Sequence, residues 1–169
     1  MQSVSDHTQS TTQLIDRFGR RVNYVRLSVT DRCDFRCVYC MSEDMSFLPR
    51  SQVLTLEEIA ELGRAFVELG VRKIRITGGE PLVRVGLPTL IAGLRDHLPH
   101  AEICLTTNGI LLDRYADSLR AAGLDRINVS LDSLDPDRFA HLTGGGDLRR
   151  VLTGLSAARA AGFSGTKIN

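Results

Sequence analysis

Residues 68–77 read ELGVRKIRIT, a passage from a helix end through Gly70 into a strand. Two later segments repeat the grammar, AAGLDRINVS at 121–130 and AAGFSGTKIN at 160–169. Gly70, Gly123 and Gly162 stand where helices commonly end in a left-handed residue. Helix starts agree. Thr55 and Glu58 carry a capping-box signature before LEEIAELGRAFVELG, and Asp135 with Pro136 suits an N-cap and first helical position. Another helix is expected from near Pro88 over PTLIAGLRDHL. Strands are expected over about 24–30, 73–78, 102–107 and 126–132, and from 166 onward. Strand alternating with helix implies an α/β fold with right-handed crossovers and a parallel sheet, either open and doubly wound or barrel-like.

Side-chain parity separates the two, because alternate strand residues face opposite ways. One face carries Val25, Leu27, Val29, Ile74, Ile76, Ile103, Leu105, Ile127, Val129, Leu131 and Ile168, and should pack on the helices. The other carries Arg26, Ser28, Thr30, Arg75, Thr77, Cys104, Thr106, Asn108, Asn128, Ser130, Asp132, Lys167 and Asn169, polar in every strand. A sheet covered on both faces should be apolar on both, and a closed eight-stranded barrel fills its interior with branched apolar groups. A partial parallel barrel with a polar lumen for a large polar ligand suits the pattern better. An open sheet with one solvated face is the alternative.

The 169 residues, 43% hydrophobic, suit one soluble globular domain. Lys and Arg number 21 against 20 Asp and Glu, so no net field draws nucleic acid or an anionic membrane. There is no signal-peptide core near the start and no apolar run long enough to span a bilayer, so a cytoplasmic, reducing location is expected. Residues 1–12, MQSVSDHTQSTT, read as a disordered tail ahead of a body over 13–169.

In a reducing setting clustered cysteines point to metal or catalysis rather than disulfides. TDRCDFRCVYC, residues 30–40, holds Cys33, Cys37 and Cys40. Their i, i+4, i+7 spacing could be one helical stripe, but Asp31, Arg32, Asp34 and Arg36 interrupt it. Structural zinc wants four ligands, usually from two knuckles, and no second knuckle exists. Cys104 falls in a strand as a small lumen or core residue, and His7, His97, His100 and His141 fall at surface positions. Three thiolates suffice for a 4Fe–4S cluster if one iron stays open to bind something else.

Cys-x3-Cys-x2-Cys after a first strand, with an aromatic before the last cysteine, resembles the cluster loop of radical S-adenosylmethionine enzymes; TGGEP at 77–81 strengthens the resemblance. DRFGRRVNYVRLSVTDRCDFRCVYCM, RITGGEPLVR, LTTNG, INVSLDSLD and AAGFSGTKIN are similar, in order and spacing, to the GTP cyclase family that opens molybdenum cofactor biosynthesis. The resemblance covers nearly everything after the tail. It implies cluster ligands Cys33, Cys37 and Cys40, and S-adenosylmethionine contacts at Tyr39, Gly79 and Ser130, with Glu80 able to pair with the methionyl ammonium. It implies GTP contacts at Arg26, Arg75, Thr106 and Lys167, all in the polar parity set. Basic groups inside strands would be costly unpaired, and a triphosphate would pair them.

The implied activity is reductive cleavage of S-adenosylmethionine at the cluster, followed by hydrogen removal from the GTP ribose and closure to 3′,8-cyclo-GTP. An electron donor such as flavodoxin or ferredoxin is implied; no oligomeric state is. Ser42 departs from the family's usual proline. The chain stops just inside a strand at TKIN, so it reads as the N-terminal portion of a longer enzyme, truncated after about four βα units and inactive by itself. The rivals are another radical S-adenosylmethionine enzyme, such as a peptide-modifying maturase, and a zinc-stabilised binding module. Ser130 alone could be structural, and Arg20 and Arg21 read as solvated charges.

Overall fold

The structure is a computed structural model that describes residues 13–40 and 45–169. The tail expected at 1–12 and the Ser42 departure lie outside the described residues. Five strands, β1 (Tyr24–Ser28), β2 (Lys73–Thr77), β3 (Glu102–Thr107), β4 (Arg126–Val129) and β5 (Lys167–Ile168), form one sheet in the order β1-β2-β3-β4-β5. Every pairing is parallel. Among the described residues five α-helices lie in the connections: α1 (Leu56–Glu68), α2 (Leu87–His97), α3 (Leu112–Ala121), and α4 (Pro136–Thr143) with α5 (Leu148–Ala160) in the last crossover.

Sequential strand order decides between the two architectures. Right-handed crossovers that always step the same way put every helix on one face, whereas a doubly wound sheet reverses direction to cover both. The molecule is therefore a partial βα barrel, with its other face left for a lumen.

Local chemistry places the helices as expected. Thr55 Oγ1 accepts from Glu58 N at 3.1 Å, and Thr55 N donates to Glu58 Oε2 at 2.7 Å, closing the capping box of α1. Asp135 Oδ1 accepts from Arg138 N at 2.8 Å ahead of Pro136. Gly70, Gly123 and Gly162 all have positive φ. The break between α4 and α5 escaped the sequence reading; it falls at Gly144, left-handed at φ 68°.

The apolar parity set packs as expected: Val29, Ile74, Ile76, Ile103, Leu105, Ile127 and Val129 are fully buried against Leu94, Leu112 and Leu119. Each such side chain contributes about 1.5–3 kcal/mol on burial. Half-buried Val25 and Ile168, 53% exposed, are less enclosed because β1 and β5 are the edge strands.

β1 and β4 end earlier than expected. Beyond Ser28 and Val129 the backbone leaves the strand but continues bonding to its neighbours: Val29 N donates to the Thr77 carbonyl at 2.9 Å and Ser130 N to Thr107 at 3.0 Å. The site is built on these extensions.

Candidate cluster and anion site

The TGGE turn and the cysteine loop are zipped together through backbone. Gly79 N donates to the Thr30 carbonyl and Glu80 N to the Arg32 carbonyl, both at 2.8 Å. Only glycine permits this approach. A Cβ on Gly78, at φ 157°, would lie 2.5 Å from the Thr30 oxygen, and one on Gly79 would lie 2.3 Å from the Arg32 oxygen.

The loop's other flank rests on the end of α4. Arg36 N donates to the Thr143 carbonyl and Val38 N to Leu142, each at 3.0 Å. Phe35, buried, meets Phe139 edge-on at 5.9 Å. Helix-end carbonyls otherwise lack partners, so the loop and the helix satisfy each other.

Held between these supports, Cys33, Cys37 and Cys40 line one cavity of about 210 Å³ together with Ser28, Thr30, Gly78 and Gly79. The Gly78 and Gly79 carbonyls accept no hydrogen bond among the described residues, so they are acceptors available to an ammonium. Phe35 N points at Cys33 Sγ from 3.4 Å. Burial pushes the Cys33 thiol up to about 11, with that amide pulling the other way, and raises Cys37 by the same cause. Both are therefore thiols at neutral pH until a metal displaces the protons.

Among the described residues no three His, Cys, Asp or Glu side chains gather around a single ion. Thiols spread around a cavity, with free carbonyls on its wall, fit a multi-atom cluster carrying a further ligand.

Glu80 has protein partners that the sequence did not reveal. It is 1% exposed, and its carboxylate accepts from Thr107 Oγ1 at 2.7 Å, Asn108 N at 2.7 Å and Leu82 N at 3.0 Å. These bonds staple the TGGE turn to the end of β3. Burial pushes its acid up to about 7 against these three donors.

Tyr39, 63% exposed, donates through its hydroxyl to Asp132 Oδ2 at 2.5 Å, anchoring the loop to the segment after β4; that bond, reinforced by burial, pushes the phenol well above its ordinary range. Ser130, two positions before Asp132, is half-buried.

Below the cavity the polar face carries the basic residues. Arg26 stands opposite Arg75 and Arg75 opposite Cys104, while Thr106, Asn128 and Lys167 form the next row. The Arg75 guanidinium donates to Thr106 Oγ1 at 3.2 Å and to the Tyr24 hydroxyl at 2.9 Å. The expected substrate residues thus share one face. The expectation that these charges would be costly to bury does not hold for Arg26 and Lys167: both are exposed, because the lumen is open beside them. Cys104 is fully buried, away from the other three cysteines.

Sequence reasoning missed Asp132, the Asn108 Nδ2 to Asp34 Oδ1 bond at 2.7 Å, and the α4 end. Asp132 and Asn108 stood in the polar parity set; position on that set was the available signal.

A family model described as the Radical SAM superfamily matches residues 27–169, and the chain belongs to that superfamily. The superfamily's chemistry uses a 4Fe–4S cluster and S-adenosylmethionine, as the resemblance implied. The chain is 63% identical over 163 residues to a GTP 3′,8-cyclase of Marinobacter nauticus, covering 94% of this chain and 48% of that one. It is 60% identical over 156 residues to the GTP 3′,8-cyclase of Pseudomonas fluorescens, covering 92% and 47%. The chain thus spans about half the length of the curated relatives it matches.

Among solved structures it is similar to methylornithine synthase (TM-score 0.70, 17% identity, 86% of this chain and 43% of that one). It is also similar to Streptococcus suis SuiB bound to S-adenosylmethionine (TM-score 0.72, 19% identity, 88% and 32%). Both likenesses concern the fold.

Proposed function

We propose that this chain is the cluster-bearing part of a GTP 3′,8-cyclase, which closes GTP to 3′,8-cyclo-GTP in molybdenum cofactor biosynthesis. The observation that carries the reading is the stacking of two sites on one sheet face: the three-cysteine cavity at the strand ends and Arg26, Arg75, Thr106 and Lys167 beneath it. The identity to GTP 3′,8-cyclases supports it.

Cys33, Cys37 and Cys40 would hold the cluster, which supplies the electron that cleaves bound S-adenosylmethionine. The Gly78 and Gly79 carbonyls accept the ammonium of that cofactor, and Tyr39 and Ser130 flank it. Asp132 keeps Tyr39 from swinging outward. Arg26, Arg75 and Lys167 grip the triphosphate by charge, with the Arg75 guanidinium oriented in advance by Tyr24 and Thr106. Preset orientation lowers the cost of holding the ribose where hydrogen can be removed. No member of this set needs to act as an acid or base.

Among the described residues no helix is long and apolar enough to cross a membrane. A cytoplasmic enzyme drawing single electrons from a flavodoxin or ferredoxin accords with the reduced state its cysteines require.

The deciding experiment is anaerobic reconstitution of the full-length enzyme with iron and sulfide, followed by assay of 3′,8-cyclo-GTP from GTP and S-adenosylmethionine. Product formation that disappears when any one of Cys33, Cys37 or Cys40 is replaced supports the assignment. Cofactor cleavage with no GTP-derived product would move the chain to another branch of the superfamily.

A further inference from the structure

Arg126, a cation on the lumen face, has no place in the site so far. Arg126 opens β4 in register with Cys104, which pairs with Arg75, which pairs with Arg26. Three arginines thus lie in one row across the sheet, interrupted only by Cys104, fully buried and too short to reach out between its neighbours. Adjacent strands lie about 4.8 Å apart, so the Arg75 and Arg126 backbones are separated by about 10 Å across the Cys104 gap.

The pairing of Arg126 is unusual. Glu102, one register step below, meets Lys73 Nζ at 2.7 Å through Oε2 and Arg126 Nε at 2.8 Å through Oε1. The second contact is close but misaligned: Oε1 is shielded from solvent and has no hydrogen-bond donor in good geometry among the described residues. Arg126 itself is 63% exposed along its side chain. Lys73, and secondarily Arg126, keep the Glu102 acid below its ordinary range, so it is ionised at neutral pH.

We propose that Arg126 is a third guanidinium of the phosphate-binding row, and that Glu102 is an internal counter-ion holding Arg126 and Lys73 until a polyphosphate competes for them. This inference rests on the reading of the lumen as a nucleoside triphosphate site. A carboxylate lying between two cations, with one oxygen poorly bonded, is a weaker version of the phosphate that would replace it. A misaligned pair is easily exchanged, since guanidinium prefers a two-pronged partner and here makes a single-atom contact. Glu102 also limits non-specific anion capture by neutralising charge that would otherwise stand idle.

The test is calorimetric binding of GTP and of inorganic tripolyphosphate to the reconstituted full-length enzyme, at two salt concentrations. Arg126→Gln should weaken both ligands about tenfold and flatten the salt dependence, while Arg126→Lys, which keeps the charge but not the two-pronged geometry, should fall between wild type and Arg126→Gln. Glu102→Gln, which frees both cations, should bind tripolyphosphate several-fold more tightly. Arg26→Gln is the control. If Arg26→Gln weakens binding and Arg126→Gln does not, Arg126 lies outside the site and the inference fails alone. Should neither matter, the triphosphate reading itself fails. Weaker binding by Glu102→Gln would show that Glu102 aims the cations rather than competing for them, which overturns its counter-ion role.

Discussion

Gly79 and Arg32 meet backbone to backbone: a side chain added at Gly79 would begin 2.3 Å from the Arg32 carbonyl oxygen and 2.6 Å from its carbon. Neither partner is a flexible side chain that could turn away. Gly79→Ala should therefore separate the TGGE turn from the cysteine loop at a cost of about 1–3 kcal/mol. The urea midpoint should fall and iron incorporation should drop with it. A variant as stable and as iron-loaded as wild type would mean that the two loops are not held as described.

The four cysteines should divide three to one. Replacing Cys33, Cys37 or Cys40 by Ala should leave reconstituted protein without the cluster's colour or its iron and sulfide content. Cys104→Ala, at a buried position directly opposite Arg75, should keep the full complement. Iron and sulfide analysis with absorption spectra decides this. Loss of the cluster in Cys104→Ala would enlist it as a ligand.

Arg75→Ala removes a guanidinium already oriented by Tyr24 and Thr106. Charge-assisted contacts contribute about 1.5–3 kcal/mol, so GTP affinity should fall tenfold or more, while S-adenosylmethionine cleavage uncoupled from GTP should persist. Equilibrium binding and 5′-deoxyadenosine release measure the two separately. A variant losing both equally would place Arg75 in support of the cluster instead.

Glu80 gives stability a pH dependence. Its acid rises from 4.5 to about 7 on folding, so between those values the native state holds a proton that the unfolded chain has released. Stability from this group is greatest below about pH 4.5, declines as pH climbs, and is flat above about 7, a change on the order of 3 kcal/mol. Glu80→Gln lacks the titration but turns an amide donor toward Asn108 N. The difference in unfolding free energy between wild type and variant should shrink as pH rises from 4.5 to 7. A constant difference would show that the three donors keep Glu80 ionised throughout.

Period and parity made most of the fold legible. The alternation of branched and polar residues in RKIRIT and RINVS separates the two faces of the sheet, and Thr55, Asp135 and the three helix-ending glycines mark the helices between. The cysteine spacing stood out in the sequence, and the four positions that the resemblance assigned to substrate fall on one face of the sheet, as their shared parity requires. The protein partners of Glu80 were not legible because a motif carries no burial: its carboxylate has three donors within reach only once β2 and β3 are paired. Asp132 could not be matched to Tyr39 because the two are 93 positions apart in sequence. Nor does the sequence show that Arg26 and Lys167 face an open lumen, since exposure depends on what stands opposite.

The clasp of α4 on the cysteine loop bears on when the cluster can be built. The cysteines leave the ribosome early, yet Arg36, Val38 and Phe35 find their partners only after Phe139, Leu142 and Thr143 have followed. During synthesis at about 5–20 residues per second, the loop therefore spends several seconds or more as three unsupported thiols. A nascent chain halted before α4 should take up cluster poorly, and one halted beyond α5 should take it up readily. The fold thereby delays metal loading until the walls that distinguish a cluster from a stray ion are in place.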